Sequence, residues 1–447
     1  SFTLSSLTTL ELISCPKLGS LFTAPTAKTL TSLEELIIED CDGLKHILTR
    51  ERGHKNRKEN LVEDAREFQS DISMFLGLKR LSIEGCDLQH ILSVSFVGYQ
   101  AKLEDIRNKE THNNFEHLQR KNIQQQVRFK LKKLELYALS QMTYIWVASK
   151  NSLFLQYLKT LEIEECAKLE LIFPSCVLRC LPKLKHLEIR ECTELKQIIE
   201  EDVTDKKLSD LCTQPCFPKL VNLVVKECHK LKRFFSASSS SDLLNLEVLI
   251  IDGATELEEI IGFEQGFSRN SFTFRNLGTL NITRCAKLEV IFPLSVLRCL
   301  SKLKRLEIRQ CEELKQIIEE DKTMLNLVSQ EPCFPKLEVV VVEQCHKLKH
   351  LFSASASNDL PNLELLIIDG ATELEELIGF KRGKGGEIEK AKVELPKLKL
   401  LIFMQLSTLR QGTELQTVKH RIVHNCPNIS LPSTTTLREL CANIPYS

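Results

Sequence analysis

The chain lacks most of what marks an enzyme, a membrane protein or a polyanion binder. It carries no net formal charge, with 60 Lys and Arg against 60 Asp and Glu in 447 residues. That balance argues against general attraction to nucleic acid or a membrane surface and leaves only local patches open. No apolar run approaches the roughly 18 residues that a spanning helix requires. There is no G-x-x-x-x-G-K-S/T cradle for a nucleotide. The nearest string, GFKRGKGGE from Gly379, lacks the closing hydroxyl residue and a strand–loop–helix setting. Neither G-x-S-x-G nor H-E-x-x-H occurs. No catalytic residue, cofactor or metal is therefore expected in this chain. It opens SFTLSSLTTL, without an initiator Met or the basic stretch of a signal peptide, and enters a repeat directly. That predicts a piece of something longer.

What the chain has in abundance is leucine at fixed intervals. In Leu303–Ile318, LKRLEIRQCEELKQII, the residues Leu303, Leu306, Ile308, Cys311, Leu314 and Ile317 fall 3, 2, 3, 3 and 3 apart. Neither a helix nor a strand gives that spacing throughout. Leu306–Glu307–Ile308 alternates as a short strand does, and the chain then turns away after Cys311. This is the L-x-x-L-x-L-x-x-N/C-x-L signature of a leucine-rich repeat. One such unit cannot bury its own apolar edge and needs a copy on each side. About thirteen copies open between Leu7 and Leu398. The steps Leu158–Leu184, Leu220–Leu246, Leu277–Leu303 and Leu337–Leu363 are each 26 residues. The expected fold is an α/β solenoid, a leucine-rich-repeat horseshoe. Its concave face is a parallel β-sheet, and its convex segments are mostly irregular or short helical turns.

Residues 1–447 read as one such domain, with surface insertions at 49–77 and 93–130 and a C-terminal repeat and cap at 398–447. The first insertion is almost wholly polar and should loop out. The second includes KLEDIRNKETHNNFEHLQRKNIQQQ, a surface helix at most, with a thin apolar stripe. The only tryptophan, Trp146, follows Ile145 of the fourth unit. Convex turns are expected in Pro174–Leu181 and Ser236–Leu246, and a flexible loop in Lys381–Lys392. The block from Leu158 recurs 119 residues later from Leu277, as tandem duplication of four repeats would leave it.

Seventeen cysteines are present, an odd number. Ten occupy the position after the strand: Cys15, Cys41, Cys86, Cys166, Cys192, Cys228, Cys285, Cys311, Cys345 and Cys426. In stacked repeats that position is an interior ladder, suited to a small side chain with a weak S–H donor for a turn carbonyl. Free buried thiols in this number suit a reducing compartment better than a disulfide framework. Cys176 with Cys180, and Cys212 with Cys216, form C-x-x-x-C pairs that would tempt a zinc reading. The internal duplicate keeps Cys299 and Cys333 but puts Ser295 and Ser329 at the partner positions, so ordinary packing is the better reading. His229 and His346 follow buried cysteines, but adjacent turn residues point apart and do not make a nucleophile pair. The sequons at Asn281 and Asn428 are incidental.

The strand residue between the second Leu and the following Ile should project into the concave surface. Early units place charge there or beside it: Glu11, Glu39, Glu84, Glu135, Glu162, Glu164 and Glu188. Late units place Val224 and Ile250, then Val341, Ile367 and Ile402, with Val339, Leu365 and Leu400 alongside. An open apolar stripe over Val339, Val341, Leu365, Ile367, Leu400 and Ile402 marks a partner-binding surface. Alternatively it is covered by the chain's own loops, or it belongs to strands buried on both faces. On this reading Glu307 and Arg309 face solvent, and Glu307→Ala costs no more than about 0.5 kcal/mol.

The irregular spacing, the L-x-x-L-x-I-x-x-C-x-x-L-x-x-I consensus and strings such as LEELIIEDCDGLKHI (Leu33–Ile47) together resemble the leucine-rich-repeat region of plant intracellular disease-resistance proteins of the coiled-coil, nucleotide-binding, leucine-rich-repeat class. The Leu-x-Gly-x-Ile-Pro of extracellular plant repeats is absent. The resemblance implies a cytoplasmic module for pathogen-effector recognition and autoinhibition. Its partners would be an effector or host protein and the nucleotide-binding part of the same receptor, and any nucleotide would bind outside this chain. It implies no nucleic acid and no membrane span. The rival reading is a leucine-rich-repeat substrate adaptor of a ubiquitin ligase, with an enzyme a distant third.

Overall fold

A computed structural model describes residues 5–23, 29–49, 77–88, 130–145, 156–174, 181–199, 217–236, 243–262, 274–292, 300–318, 334–352, 360–378, 381–382, 388–389, 395–409, 415 and 418–436. Both predicted insertions, the Trp146 position, most of the two predicted convex turns and the C-x-x-x-C cysteines lie outside them. The chain divides into two compact units, 1–204 and 205–447.

The first unit is built on six parallel five-residue strands: β1 (Thr9–Ile13), β3 (Glu35–Glu39), β5 (Arg80–Glu84), β6 (Lys133–Tyr137), β7 (Thr160–Glu164) and β9 (His186–Arg190), paired in that order. Shorter strands follow some of them: β2 (Ser20–Thr23) pairs with β4 (His46–Thr49), and β8 (Leu171–Phe173) with β10 (Gln197–Ile199). The second unit repeats the scheme with β11 (Asn222–Lys226), β13 (Val248–Asp252), β15 (Thr279–Thr283), β17 (Arg305–Arg309), β19 (Val339–Glu343), β21 (Leu365–Asp369), β25 (Leu400–Met404) and β26 (His420–His424). Its returns carry β12 (Arg233–Ser236) beside β14 (Glu259–Gly262). They also carry the ladder β16 (Val290–Phe292), β18 (Gln316–Ile318), β20 (His350–Phe352) and β22 (Glu376–Ile378), and a small antiparallel pair, β23 (Lys381–Arg382) with β24 (Ile388–Glu389). The fourteenth long strand, β26, is one more than the leucine spacing announces. Among the described residues there is no helical segment, so none is long and apolar enough to cross a membrane.

The spacing of the consensus explains each element. The second and fourth strand residues, such as Leu306 and Ile308, are buried in the core, while the first, third and fifth line the open face. Every long strand is followed by a residue of positive φ. Eleven of these are not glycine, among them Ala138, Glu165, Gln310 and Asn425, at φ 51–55°. The left-handed residue throws the chain out of the sheet, and its N–H still serves the neighbouring rung: Ala138 N–H donates to Glu164 O at 2.9 Å, and Gln310 N–H to Glu343 O at 2.8 Å. At the three glycines of this series the tip of a neighbouring rung's side chain occupies the space that a Cβ would take. At Gly253, with φ 71°, a Cβ would lie 2.6 Å from the Glu227 carboxylate.

Next comes the cysteine. All ten ladder cysteines are free thiols, and eight of them are buried. Cys41, Cys86, Cys192 and Cys311 donate S–H to the carbonyl two residues back at 3.1–3.4 Å. Burial lifts the Cys86 thiol to about 11, and contact with Cys192 together with burial pushes Cys166 up further. These two thiols therefore stay protonated and keep their donors. Phenylalanines fill the space between strand and return, as Phe274 against Phe292 and Phe334 against Phe352, with ring centroids 5.8 and 5.4 Å apart.

The outer edge of β26 is closed by side chains of the segment after it. The Arg421 N–H donates to the Thr434 hydroxyl at 2.9 Å and the Val423 N–H to the Ser433 hydroxyl at 2.8 Å. The two hydroxyls donate in turn to Lys419 O and Val423 O, and Thr434 N–H donates to Arg421 O.

The left-handed position yields a first prediction. A Cβ there costs about 1–2 kcal/mol, against about 0.5–1 kcal/mol of added chain entropy for glycine. Ala138 makes no side-chain hydrogen bond to lose. Ala138→Gly should therefore raise the urea midpoint, by about 0.5–1 kcal/mol of stability. A lowered midpoint would contradict the account of the turn.

Candidate protein-interaction face

The open face of the second unit gathers the apolar residues that the sequence singled out. Val341, Ile367 and Ile402 stand side by side in register, and so do Val339, Leu365 and Leu400. Their exposure differs from the expectation of an open stripe. Val341 is 3% exposed and Ile402 7%, and Ile367 and the three residues of the outer column are half-buried. The cause is spacing. Rungs sit about 4.8 Å apart, so β-branched side chains in one column cover each other's flanks and present only their tips. The central column runs one rung further, to Ile422 on β26. Sequence reasoning missed that residue because β26 carries Arg421 where other strands carry Leu. The available signal was the cysteine at Cys426. On the other side, Val224 and Ile250 form a shorter apolar pair, cut off from Val341 by Asn281 and Glu307.

Beside the apolar columns lies an unsatisfied polar group. Asp369 Oδ1, at the end of β21, is buried without a hydrogen-bond partner. Burial and the neighbouring Glu343 carboxylate hold its pKa above the ordinary aspartate value. Buried acceptors are normally paired, so this oxygen, enclosed by the chain itself, is a local cost at the end of β21.

The charged part of the face is not the loose solvated surface that the sequence implied. Glu307 is 7% exposed and is bound by the guanidinium groups of Arg305 and Arg309, and Arg309 Nε also donates to Glu343 at 2.8 Å. Burial opposes its ionisation, but the two arginines outweigh that and hold its pKa below the usual glutamate value. Glu307 therefore sits in a buried ion-pair cluster and not in open solvent; without it Arg309 would still hold Glu343, and Arg305 is half-exposed. In the first unit Glu135, 5% exposed, accepts from Arg80 Nε at 2.6 Å and pairs with Lys133 at 3.0 Å. Lys133 also reaches Glu162 at 3.1 Å, which accepts the Tyr137 hydroxyl at 2.6 Å. Glu188 pairs with Arg190.

The remaining candidates resolve simply. His229 Nδ1 lies 2.8 Å from Gly253 O, and the Cys228 thiol donates to Lys226 O, so the two point to different partners. Asn281 stands on β15, where its amide oxygen accepts from the Thr283 hydroxyl, and Asn428 donates to Ser407 O. Carboxylates of Glu164, Glu165 and Glu191 approach within 4.8 Å of one another at the rim of the first unit.

Solved structures with similar chain traces include the leucine-rich-repeat domain of the type III effector XopL, at 17% identity, covering 57% of this chain and 71% of that one, with TM-score 0.30. A leucine-rich-repeat protein of Leptospira interrogans matches at 14% identity over 98% of this chain and 93% of its own, also with TM-score 0.30. An internalin, InlF of Listeria monocytogenes, matches at 14% identity over 98% and 85%, with TM-score 0.28. No curated protein sequence matches the chain. The family described as plant disease resistance protein RPS2-like leucine-rich repeats matches residues 48–193, 256–331 and 320–431, well over half of the length. The chain belongs to the RPS2-like leucine-rich-repeat family of plant disease resistance proteins.

Proposed function

We propose that this chain is the protein-recognition and autoinhibitory module of a plant intracellular immune receptor. It would act in the cytoplasm and sense a pathogen effector directly or through a host protein. The family membership supports a protein-binding role in plant resistance. The observation that carries the reading is the pair of apolar columns in register on the open face of the second unit. Tips of Val339, Leu365 and Leu400 offer a shallow hydrophobic strip. A partner that lays apolar side chains against the strip would fit it. Such a surface binds and does not catalyse. Nucleotide chemistry, where the receptor needs it, belongs to a domain outside this chain.

The test is calorimetric titration of this chain with the separately expressed nucleotide-binding part of the same receptor. The double change Leu365→Lys and Leu400→Lys alters half-buried tips and leaves the core leucines in place. The expected result is at least a tenfold rise in Kd, about 1.4 kcal/mol, with Tm unchanged. Unaltered binding by a folded variant would sink the assignment of this face.

A further inference from the structure

The strand entrances of the first unit carry a row of like charge. Lys79, Lys132, Lys159 and Lys185 each immediately precede a long strand, and the backbone places them in one file. Lys132 N–H donates to Lys79 O at 2.7 Å, Lys159 N–H to Lys132 O at 2.8 Å, and Lys185 N–H to Lys159 O at 2.8 Å. Successive members are therefore only about 4.8 Å apart at the backbone. Ahead of Lys79 in the same file stands Glu34, whose backbone O accepts from Lys79 N–H at 2.7 Å and whose carboxylate pairs with Lys79 Nζ at 2.5 Å. Lys132, Lys159 and Lys185 are exposed and, among the described residues, have no ion-pair partner. Exposed Lys130 and half-buried Lys183 widen the row, and Lys183 Nζ sits 4.0 Å over the Tyr157 ring.

The second unit provides an internal comparison. Its equivalent file reads Glu247, Gly278, Lys304, Glu338, Glu364 and Lys399, joined by the same backbone bonds. There the signs are mixed, and the lysines find neighbours: Lys304 pairs with Glu338 at 3.3 Å and Lys399 with Glu364 at 2.7 Å. Three consecutive entrances of the first unit, Lys132, Lys159 and Lys185, thus carry like charge, which no three consecutive entrances of the second unit do. Repulsion between adjacent rungs destabilises the free protein and is relieved when an anionic partner lies along the row.

We propose that the Lys132–Lys159–Lys185 row is a docking site for a short acidic polypeptide segment, distinct from the apolar columns of the second unit. Two observations favour a protein over a nucleic acid. The far end of strands β5, β7 and β9 is acidic, with Glu84, Glu164, Glu165 and Glu191 roughly 17–20 Å from the lysines that precede those strands. A broad polyanion would overhang the row and meet that rim, whereas a short segment, or a protein with its own basic flank, would not. Among the described residues the aromatic ring beside the row, Tyr157, is covered by Lys183 and is not a free platform for bases.

The experiment uses the full chain and two fluorescein-labelled probes, an eight-residue peptide alternating Glu and Ser and a single-stranded RNA oligonucleotide. Anisotropy at low salt should show peptide binding that weakens at least tenfold in Lys132→Glu/Lys159→Glu/Lys185→Glu. Raising the salt should weaken it too. The corresponding triple Gln variant should lose at least fivefold, which keeps the test valid if the Glu variant misfolds. Lys302→Glu/Lys336→Glu in the second unit should leave binding unchanged. The proposal is overturned by absence of peptide binding, by equal loss in the second-unit variant, or by RNA bound more tightly than the peptide.

Discussion

Leu306→Asp is expected to unfold the repeats around β17. Leu306 is 1% exposed and lies in register between Leu280 and Val340. Truncating a buried leucine alone costs about 2–5 kcal/mol. The aspartate adds an ionised or newly protonated carboxyl with no partner, worth several kcal/mol more. The total of more than about 5 kcal/mol rivals the stability of a whole domain. Because each rung leans only on its neighbours, the damage should spread to β15 and β19 before anything else. Urea unfolding and limited proteolysis would show this as a lost or strongly lowered midpoint with new cleavage near β17. Leu306→Ala should be clearly milder. A Leu306→Asp midpoint no lower than that of Leu306→Ala would mean the side chain is not in the core.

Glu135→Ala comes second in size, at about 2–3 kcal/mol, because it leaves Arg80 and Lys133 facing each other without their shared counter-ion. Both cations are themselves half-exposed, which keeps the loss below that of a fully buried pair. The effect should depend on pH in a defined direction. Burial raises the Glu135 pKa, but bonds from Arg80 and Lys133 outweigh it, so the net shift is downward from the ordinary 4.5. A carboxyl with a lowered folded-state pKa stabilises fully above its unfolded value and loses that contribution as pH falls through the folded value. The stability difference between the native protein and Glu135→Gln should therefore be constant above about pH 5 and close progressively below 4.5. A difference that grows on acidification would show that the ion pairs are not what holds the residue.

These two residues show how far the sequence can be read. Leu306 was legible because the 3, 2, 3, 3, 3 spacing ties each leucine to a place in a repeat, and the same spacing located every long strand except β26. Glu135 was legible only as a charge on the open face. Its burial depends on Arg80, 55 residues away in sequence and adjacent in space, and no local pattern announces such a neighbour. The same holds for Glu307. The left-handed turn residue was not legible at all. Ser, Asp, Ala, Glu, Arg, Gln, Asn and Gly all occupy it, so geometry is imposed there by the flanking strand and cysteine rather than by residue type. The apolar columns were found as a set of residues but not as a shape. Whether six side chains stand open or close over one another is decided by rung spacing, which composition does not encode.

The hydroxyl closure of β26 bears on assembly. A stack of parallel strands is a template: its last rung offers N–H and C=O groups at the spacing that a further extended chain would match. Here both outward N–H groups of that rung, at Arg421 and Val423, are consumed by Thr434 and Ser433, and the carbonyls of Lys419, Arg421 and Val423 are occupied as well. The segment that consumes them is not itself a strand, so it passes no template on. In the language of polymer growth, this rung carries a terminator, and strand-by-strand propagation from it into fibres is blocked.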